Sequence, residues 1–311
     1  MIWKLILGVS VAAGAFAQNR LVSNVGNFIH DVGDLDRSAH FYRDVLGMEM
    51  PRPPGDWQST EGVLKMYDAA GGKFRVANAQ IPGSPMRVEM VEFQGVDRKP
   101  ARRPWGAVGN SVLMLTVADL TPVQERLKSA NAPMLVQAKK ACDGRGLVTA
   151  DPDGFAVMVT ERSEEGKAPS QAKSNFTGMR FGYLVSGDAL AKGPLAALGL
   201  AAETRTHPCR SIEETLLNSA GPASVATVPG GFEIWLAKGK VEKTKPPVRP
   251  HDPGAAVLRL MVSDVDAAAQ ALRQAQAQVV SEGGAIQTLP PGGLRAVILR
   301  APDDLFIQVV K

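Results

Sequence analysis

The stretch Asn27-Phe28-Ile29-His30-Asp31-Val32-Gly33-Asp34-Leu35-Asp36-Arg37-Ser38-Ala39-His40-Phe41-Tyr42-Arg43-Asp44-Val45-Leu46-Gly47-Met48 decides the fold. Up to Val32 it reads as a strand, with successive side chains on opposite faces. Asp34 stands where a helix needs its N-cap, a carboxylate accepting from the amides of the first turn. Phe41, Val45 and Leu46 then mark one buried face of a helix over 36–46, and Gly47 ends it.

The same unit recurs along the chain. Val117-Ala118-Asp119-Leu120 leads into a helix over 121–130, and Val262-Ser263-Asp264-Val265 into one over 266–277. Leu184-Val185-Ser186-Gly187-Asp188 leads into one over 189–198 that stops at Gly199. Strand-like runs follow each helix, at 73–79 and 87–93, 147–149 and 155–160, 224–227 and 231–236, and 294–299 and 305–310. The units also pair off. Asp151-Pro152-Asp153-Gly154-Phe155 in the second matches Ala301-Pro302-Asp303-Asp304-Leu305 in the fourth, and Leu46-Gly47-Met48 in the first matches Leu198-Gly199-Leu200 in the third. The chain is a duplication of a duplication, its halves roughly 150 residues apart. The polar, charged stretch 162–174 is the expected linker between domains at 20–161 and 175–311.

Composition agrees with a soluble globular class. Of the 311 residues 45% are apolar and 21% charged, which excludes a disordered tail, a collagen-like repeat and a multi-span membrane protein. The net charge of +4 comes without a dense Lys/Arg stripe among aromatics, so no nucleic-acid partner is expected. Residues 1–17 read as a secretory signal: Lys4, an apolar run from Leu5 to Phe16, and Ala15-Phe16-Ala17 as the cleavage site. The run is too short to span a bilayer. The expectation is therefore a secreted or periplasmic protein, off the membrane once the signal is cleaved. Export would place Cys142 and Cys209 where disulfides persist, but two cysteines fix no geometry, and a bridge or two small buried thiols both stay open. The basic residues of the two inner linkers, Arg98, Lys99, Arg102 and Arg103, then Lys238, Lys240, Lys243, Lys245 and Arg249, read as solvated loops.

Asp34-Leu35-Asp36-Arg37-Ser38, Phe41-Tyr42 and Leu46-Gly47-Met48 resemble the opening of a vicinal oxygen chelate (glyoxalase/bleomycin-resistance/extradiol-dioxygenase) domain, and Asp151-Pro152-Asp153-Gly154 resembles that family's final hairpin. The resemblance implies an α+β fold, two glyoxalase-like domains built from four βαβββ modules, each pair of modules forming a half-open barrel around a cavity. It also implies a divalent metal, Fe, Mn, Ni or Zn, held by His, Glu or Gln from the first and last strand of each module and stabilising charge on a chelated substrate.

Counting from the motifs places the ligand slots. Seven residues before each helix-opening Asp lie Asn27, Val112 and Val257, with Arg180 as the less certain equivalent in the third unit; the last-strand slots are Glu89, Met158, Glu233 and Gln308. No slot holds a His, valine cannot ligate, and a thioether is too soft for these ions. Only Glu89 and Glu233 remain as weak metal candidates. His30 falls on the opposite parity to Asn27 and reads as a hydrogen-bonded interior or edge residue, while His40, His207 and His251 read as solvent-facing.

Taken in chain order, the first cavity would be lined by Asn27, Ile29, Asp31, Glu89, Val91, Met114, Thr116 and Met158, and the second by Arg180, Glu233, Trp235, Arg259, Met261, Phe306 and Gln308. An apolar pocket with few polar points suits a small molecule. The Arg180 guanidinium, beside Glu233, is expected to take over part of the metal's electrostatic role or to bind an anionic ligand. The leading expectation is a small-organic-molecule binder without a tightly held metal. The alternatives are a metal-dependent glyoxalase-like lyase or isomerase, or an extradiol-type dioxygenase, with atypical ligands, and a structural or partner-binding protein.

Overall fold

Strands β1 (Val22–Val32), β2 (Lys73–Gln80) and β3 (Arg87–Gln94) form the first module with the helix α1 (Leu35–His40), its wider-wound continuation Phe41–Leu46, and a second short helix α2 (Glu61–Met66). The second holds β4 (Ser111–Val117), α3 (Thr121–Ser129), β5 (Met134–Ala141), β6 (Gly144–Ala150) and β7 (Ala156–Arg162). The third holds β8 (Phe176–Val185), a short helical turn Ala191–Leu195, β9 (Ala202–Thr204), α4 (Ile212–Leu217), β10 (Ser224–Thr227) and β11 (Glu233–Lys238). The fourth holds β12 (Ala256–Val262), α5 (Val265–Gln274), β13 (Gln278–Val279), β14 (Gln287–Leu289), β15 (Leu294–Arg300) and β16 (Phe306–Val310). This computed structural model describes residues 20–81, 86–162, 175–206, 208–219, 221–242 and 247–311. The expected signal at 1–17 and all of the expected linker 162–174 except Arg162 lie outside them. Among the described residues no helix is long and apolar enough to cross a membrane.

The helix starts follow the sequence where a carboxylate reaches the first turn. Asp34 accepts from Arg37 N and Asp264 from Ala267 N. Asp119 instead accepts from Thr121 N one residue ahead of the cap position, and the third module's helical turn begins after Leu190, with Asp188 paired to Lys192 on the surface. Gly47 ends the first helical segment at φ +88, a left-handed conformation that favours glycine.

The sheets do not follow chain order. One runs β13-β15-β16-β12-β1-β3-β2, with β14 beside β15; the other runs β5-β6-β7-β4-β8-β11-β10-β9. Module one therefore joins module four across the antiparallel β1–β12 pair, and module two joins module three across β4–β8. Each sheet is an open, curled half-barrel. The expectation that each half of the chain closes its own cavity is corrected. Adjacent first strands from opposite halves pair instead.

Parity then sorts the side chains. Phe28, His30 and Val32 leave the barrel side of β1, and Phe28 lies 5.5 Å from the Phe155 ring and 5.2 Å from the Phe181 ring of the other sheet. The principal core is thus shared by the outer faces of both sheets and the helices, with Leu35, Leu46, Leu127, Leu198 and Leu272 buried in it. Each such side chain contributes about 1.5–3 kcal/mol on burial. The linker basics are partly structural. Arg103 is nearly buried against Asp304, Arg98 donates to Val32 O, and Arg249 is paired with Asp252 and Asp97.

Cys142 and Cys209 form a disulfide across a sequence separation of 67. It ties the β5–β6 turn to the segment that enters α4, where Ser211 and Glu214 form a capping box and Asp143 accepts from Ile212 N. Cross-linking a loop of that length restricts the unfolded chain. Replacing both cysteines by serine is expected to lower unfolding free energy by about 2–4 kcal/mol, read by denaturant titration against the oxidised parent. A variant as stable as the parent would show that the bridge constrains nothing.

Candidate functional site in the two half-barrels

The strand register identifies the slots in the structure. In three modules the last-strand slot pairs with the residue two past the first-strand slot: Ile29 with Glu89, Met114 with Met158, and Arg259 with Gln308. In the third module the residue two past Arg180 is Gly182, and it pairs with Trp235. The slot there is Trp235, and the expected Glu233 lies two residues short of it. The first half-barrel thus gathers Asn27, Glu89, Val257 and Gln308, and the second gathers Val112, Met158, Arg180 and Trp235. Met114, Thr116 and Met158 belong to the second barrel and Arg259, Met261, Phe306 and Gln308 to the first, the reverse of the chain-order expectation.

In the first barrel Arg259 dominates. Its two terminal nitrogens donate to both Glu89 oxygens at 2.9 Å each, and Nε donates to Gln308 Oε1 at 2.6 Å. Asn27 Nδ2 donates to Glu89 Oε2 at 2.6 Å. Burial opposes ionisation of Glu89, but the charge and hydrogen bonds of Arg259 and the Asn27 amide outweigh it and hold the carboxyl below its usual range. Deeper in, Leu64, Met66 and Tyr67 from α2 and its end pack with Phe93, Val257, Ile298 and Phe306, so the interior is largely filled. Asp31 is fully buried there with no partner for either oxygen, and Tyr67 OH is likewise unpartnered. Burial first, then the nearby Glu89 charge, pushes Asp31 well above the carboxylate range, against the pull of Arg98.

In the second barrel the polar groups gather at the mouth. Arg180 donates to Thr116 Oγ1 at 2.9 Å and to Glu213 Oε1 at 3.0 Å, and Arg162 donates to the same Glu213 oxygen at 2.7 Å. Glu213 comes from α4 and is fully buried; the two arginine charges overcome its burial and keep its carboxyl below the usual range. Glu233 pairs with Arg205 and accepts from Trp235 Nε1 at 2.9 Å. The Arg180 and Arg205 guanidinium carbons lie 5.4 and 5.5 Å from the Trp235 ring centroid. Ile212, Leu216 and Leu217 of α4 fill the deep end against Val112, Met114 and Met158. What remains is a cleft of about 530 Å³ bounded by Thr116, Arg162, Arg180, Arg205 and Glu233.

The fold's metal chemistry needs several free hard ligands converging on one point. Here the two strongest donors of the first barrel are already bound to an internal cation, Val257 cannot ligate, and the second barrel's slots hold no hard anionic donor. The residues present do not fit a metal in either barrel.

Elsewhere, His30, Asp151 and Asp153 each offer a ligand atom, all within 4.8 Å of one another, and form a group able to hold an ion. It lies between the barrels. His30 Nε2 stands 2.5 Å from Asp151 Oδ2 and its Nδ1 donates to Ala255 O at 3.2 Å. Asp151 Oδ1 accepts from Asp153 N and Phe155 N, and Asp153 from Gly33 N, Ser38 Oγ and Arg37. With both ring nitrogens donating, His30 is an imidazolium in this arrangement, and an ion would have to displace its Nε2 proton. The expected interior histidine is found. His40 is exposed beside Asp44, and His207 lies outside the described residues. His251 is a correction: it is buried, bonded to Tyr67 O at 2.8 Å and packed on Phe93, because its loop folds under the first barrel.

Three members of the second cleft escaped the sequence reading. Arg162 shares strand parity with Met158 and was legible by that rule. Arg205 and Glu213 sit where the third module matches the repeat least, and no spacing pointed to them.

Burial disfavours the His30 charge, but the Asp151 charge and hydrogen bond, with Asp153 and Ala255 O, prevail and raise its pKa above 6.5. A raised folded value means this contribution is complete below the unfolded pKa and is lost as pH rises through the folded one. The unfolding free energy of the parent minus that of His30→Phe should therefore shrink with rising pH above about 6.5, by chemical denaturation at each pH. A difference constant across that window would contradict an imidazolium at this position.

Comparison with known proteins agrees with this architecture. The family model for the Glyoxalase/Bleomycin resistance protein/Dioxygenase superfamily matches residues 30–159. No curated protein matches by sequence. Among solved structures, glyoxalase I from Zea mays superposes with a TM-score of 0.61 at 17% identity, covering 93% of this chain and 92% of that one. A point variant of the same maize enzyme gives 0.62 at 16%, covering 93% and 92%. A putative dioxygenase from Bacillus subtilis subsp. subtilis str. 168 gives 0.58 at 14%, covering 94% and 86%. These identities carry the fold alone. Residues 30–159 thus match the model of the Glyoxalase/Bleomycin resistance protein/Dioxygenase superfamily, and the chain shares the fold of these structural neighbours over most of its length.

Proposed function

We propose that this protein is an exported, metal-free binder of a small organic molecule, with the open cleft of the second half-barrel as its site. The observation that carries the reading is the Arg259 fork on Glu89 and Gln308, which puts a fixed guanidinium where the family's chemistry needs a cation with open coordination positions. An internal cation saturated by its own protein can neither exchange a ligand nor act as a Lewis acid. The second barrel supports binding in another way. Its mouth keeps a cleft of about 530 Å³, within the usual range for small-molecule sites, where charged and polar groups converge. Export rests on the N-terminal signal pattern and is consistent with the disulfide.

A second reading keeps a metal between the barrels, favoured by the three ligand atoms of His30, Asp151 and Asp153. An ion there would hold the two sheets together and would touch no cleft.

Elemental analysis of the purified, undialysed protein separates the readings. The expected result is well below one equivalent of Fe, Mn, Ni or Zn. A stoichiometric ion lost on Glu89→Gln overturns the proposal, whereas one lost on Asp153→Asn but kept on Glu89→Gln assigns a structural ion. Removing the internal cation should also be costly. Arg259→Met leaves Glu89 largely buried without its partner and is expected to lower stability by about 3 kcal/mol, measured by urea denaturation near neutral pH. Cell fractionation should recover a mature chain starting at Gln18 outside the cytoplasm; a full-length cytoplasmic product would remove the export claim.

A further inference from the structure

We propose that the second-barrel cleft is a receptor for the carboxylate of a small organic anion, gripped by Arg180 and Arg205, with Arg162 holding the buried Glu213 behind them. The inference deepens the ligand-binding reading above and rests on it. Three guanidinium groups reach one cleft from three separate places: the end of β7, the middle of β8 and the residue after β9. The first two are nearly buried, at 11% and 13% side-chain exposure, and the third is 39% exposed at the rim. Nearly buried arginines are expensive unless paired, so which of their contacts are complete decides what the cleft can still take.

Their internal partners leave one contact incomplete. Glu213 serves both Arg162 and Arg180 through one oxygen, and so supplies one negative charge for two positive ones. Asp143 stands 3.7 Å from Arg162 and balances that side from the α4 end. On the cleft side Glu233 is held by Arg205 and Trp235, but its nearest oxygen lies 3.8 Å from Arg180 Nη1, beyond hydrogen-bond reach. A carboxylate arriving beside Glu233 would accept from Arg180 Nη1, whose neighbour Nη2 is already spent on Thr116 and Glu213, and would meet Arg205 across the Trp235 ring, which already steadies both heads. Thr116 Oγ1 stands at the same point, bonded to Arg180, and Gly178 and Gly231 leave the approach open on either side.

The test is isothermal titration of the full mature, oxidised protein with benzoate and octanoate, each against its neutral amide, benzamide and octanamide. At least one acid should bind tenfold or more tightly than its amide. Arg180→Gln should remove most of that preference while leaving the amide unchanged. Because Arg180→Gln strips a partner from buried Glu213 and could unfold the chain, Arg205→Gln at the rim is the second variant, with the same loss expected. Arg295→Gln, which breaks an exposed pair with Asp266, should change nothing. Equal binding of acid and amide, binding of neither acid, or an acid preference that survives both cleft variants overturns the inference. Equal binding would still leave a small-molecule site, so the broader reading would stand. A catalytic metal found in the first barrel would remove that reading without touching the titration result.

Discussion

The guanidinium of Arg259, clamped between Glu89 and Gln308, is the interaction on which the first half-barrel depends. It meets three requirements at once. It neutralises a carboxylate that parity forces into the barrel, it satisfies an amide from the neighbouring strand, and it fixes β12 against β3 across β1. A fork with donors on three nitrogens does this with defined geometry, whereas a lysine would offer a point charge. The cost is that the barrel's donors are spent on one another. What remains inside is apolar packing and two polar groups, Asp31 and Tyr67, that the surrounding chain leaves without partners.

The two barrels are built by one plan and diverge in where the cation sits. In each, a short helix from the odd-numbered module fills the deep end: α2 in the first barrel and α4 in the second. In the first, the arginine stands two residues beyond a valine slot and faces inward to a carboxylate and an amide. In the second, Arg180 occupies the slot itself, and its carboxylate partner is contributed by the helix, since Glu213 belongs to α4. That shift moves the ion pairs towards the mouth and leaves a cleft above them. The disulfide acts on this second barrel alone, pinning the segment that leads into α4 to the β5–β6 turn.

Much of this was legible in the sequence for a physical reason. Repetition, N-cap carboxylates and strand parity are local properties, and they gave the four modules, the helix starts at Asp34 and Asp264, the interior place of His30, and the barrel faces of Asn27, Glu89, Arg180 and Gln308. The pairing of modules is not local. Nothing in the residues of β1 states whether β4 or β12 will lie beside it, and that choice alone moved Arg259 from one cavity to the other. The Glu233 slot was misplaced by two residues because the third module lacks the spacing that fixed the others. The burial of His251 was hidden because a loop's destination depends on the sheet it crosses.

The crosswise pairing also separates what each barrel holds from what keeps the fold. Each barrel takes its slots from two modules far apart in the chain, and the strand register is set by apolar residues on the opposite face, such as Phe28, Phe181 and Leu258. Those residues pack into the core between the sheets and are indifferent to what their neighbours carry into the barrels. A barrel-facing position can therefore carry valine, methionine or tryptophan as readily as a charged residue at fixed register. The backbone keeps its shape because the inter-sheet core holds it, and the barrel interior is left to acquire ion pairs of its own. On this view the His30–Asp151 pair is the polar counterpart of that core: a charge pair between the sheets, far from either mouth, fixing β1 to the β6–β7 hairpin while the barrels diverge.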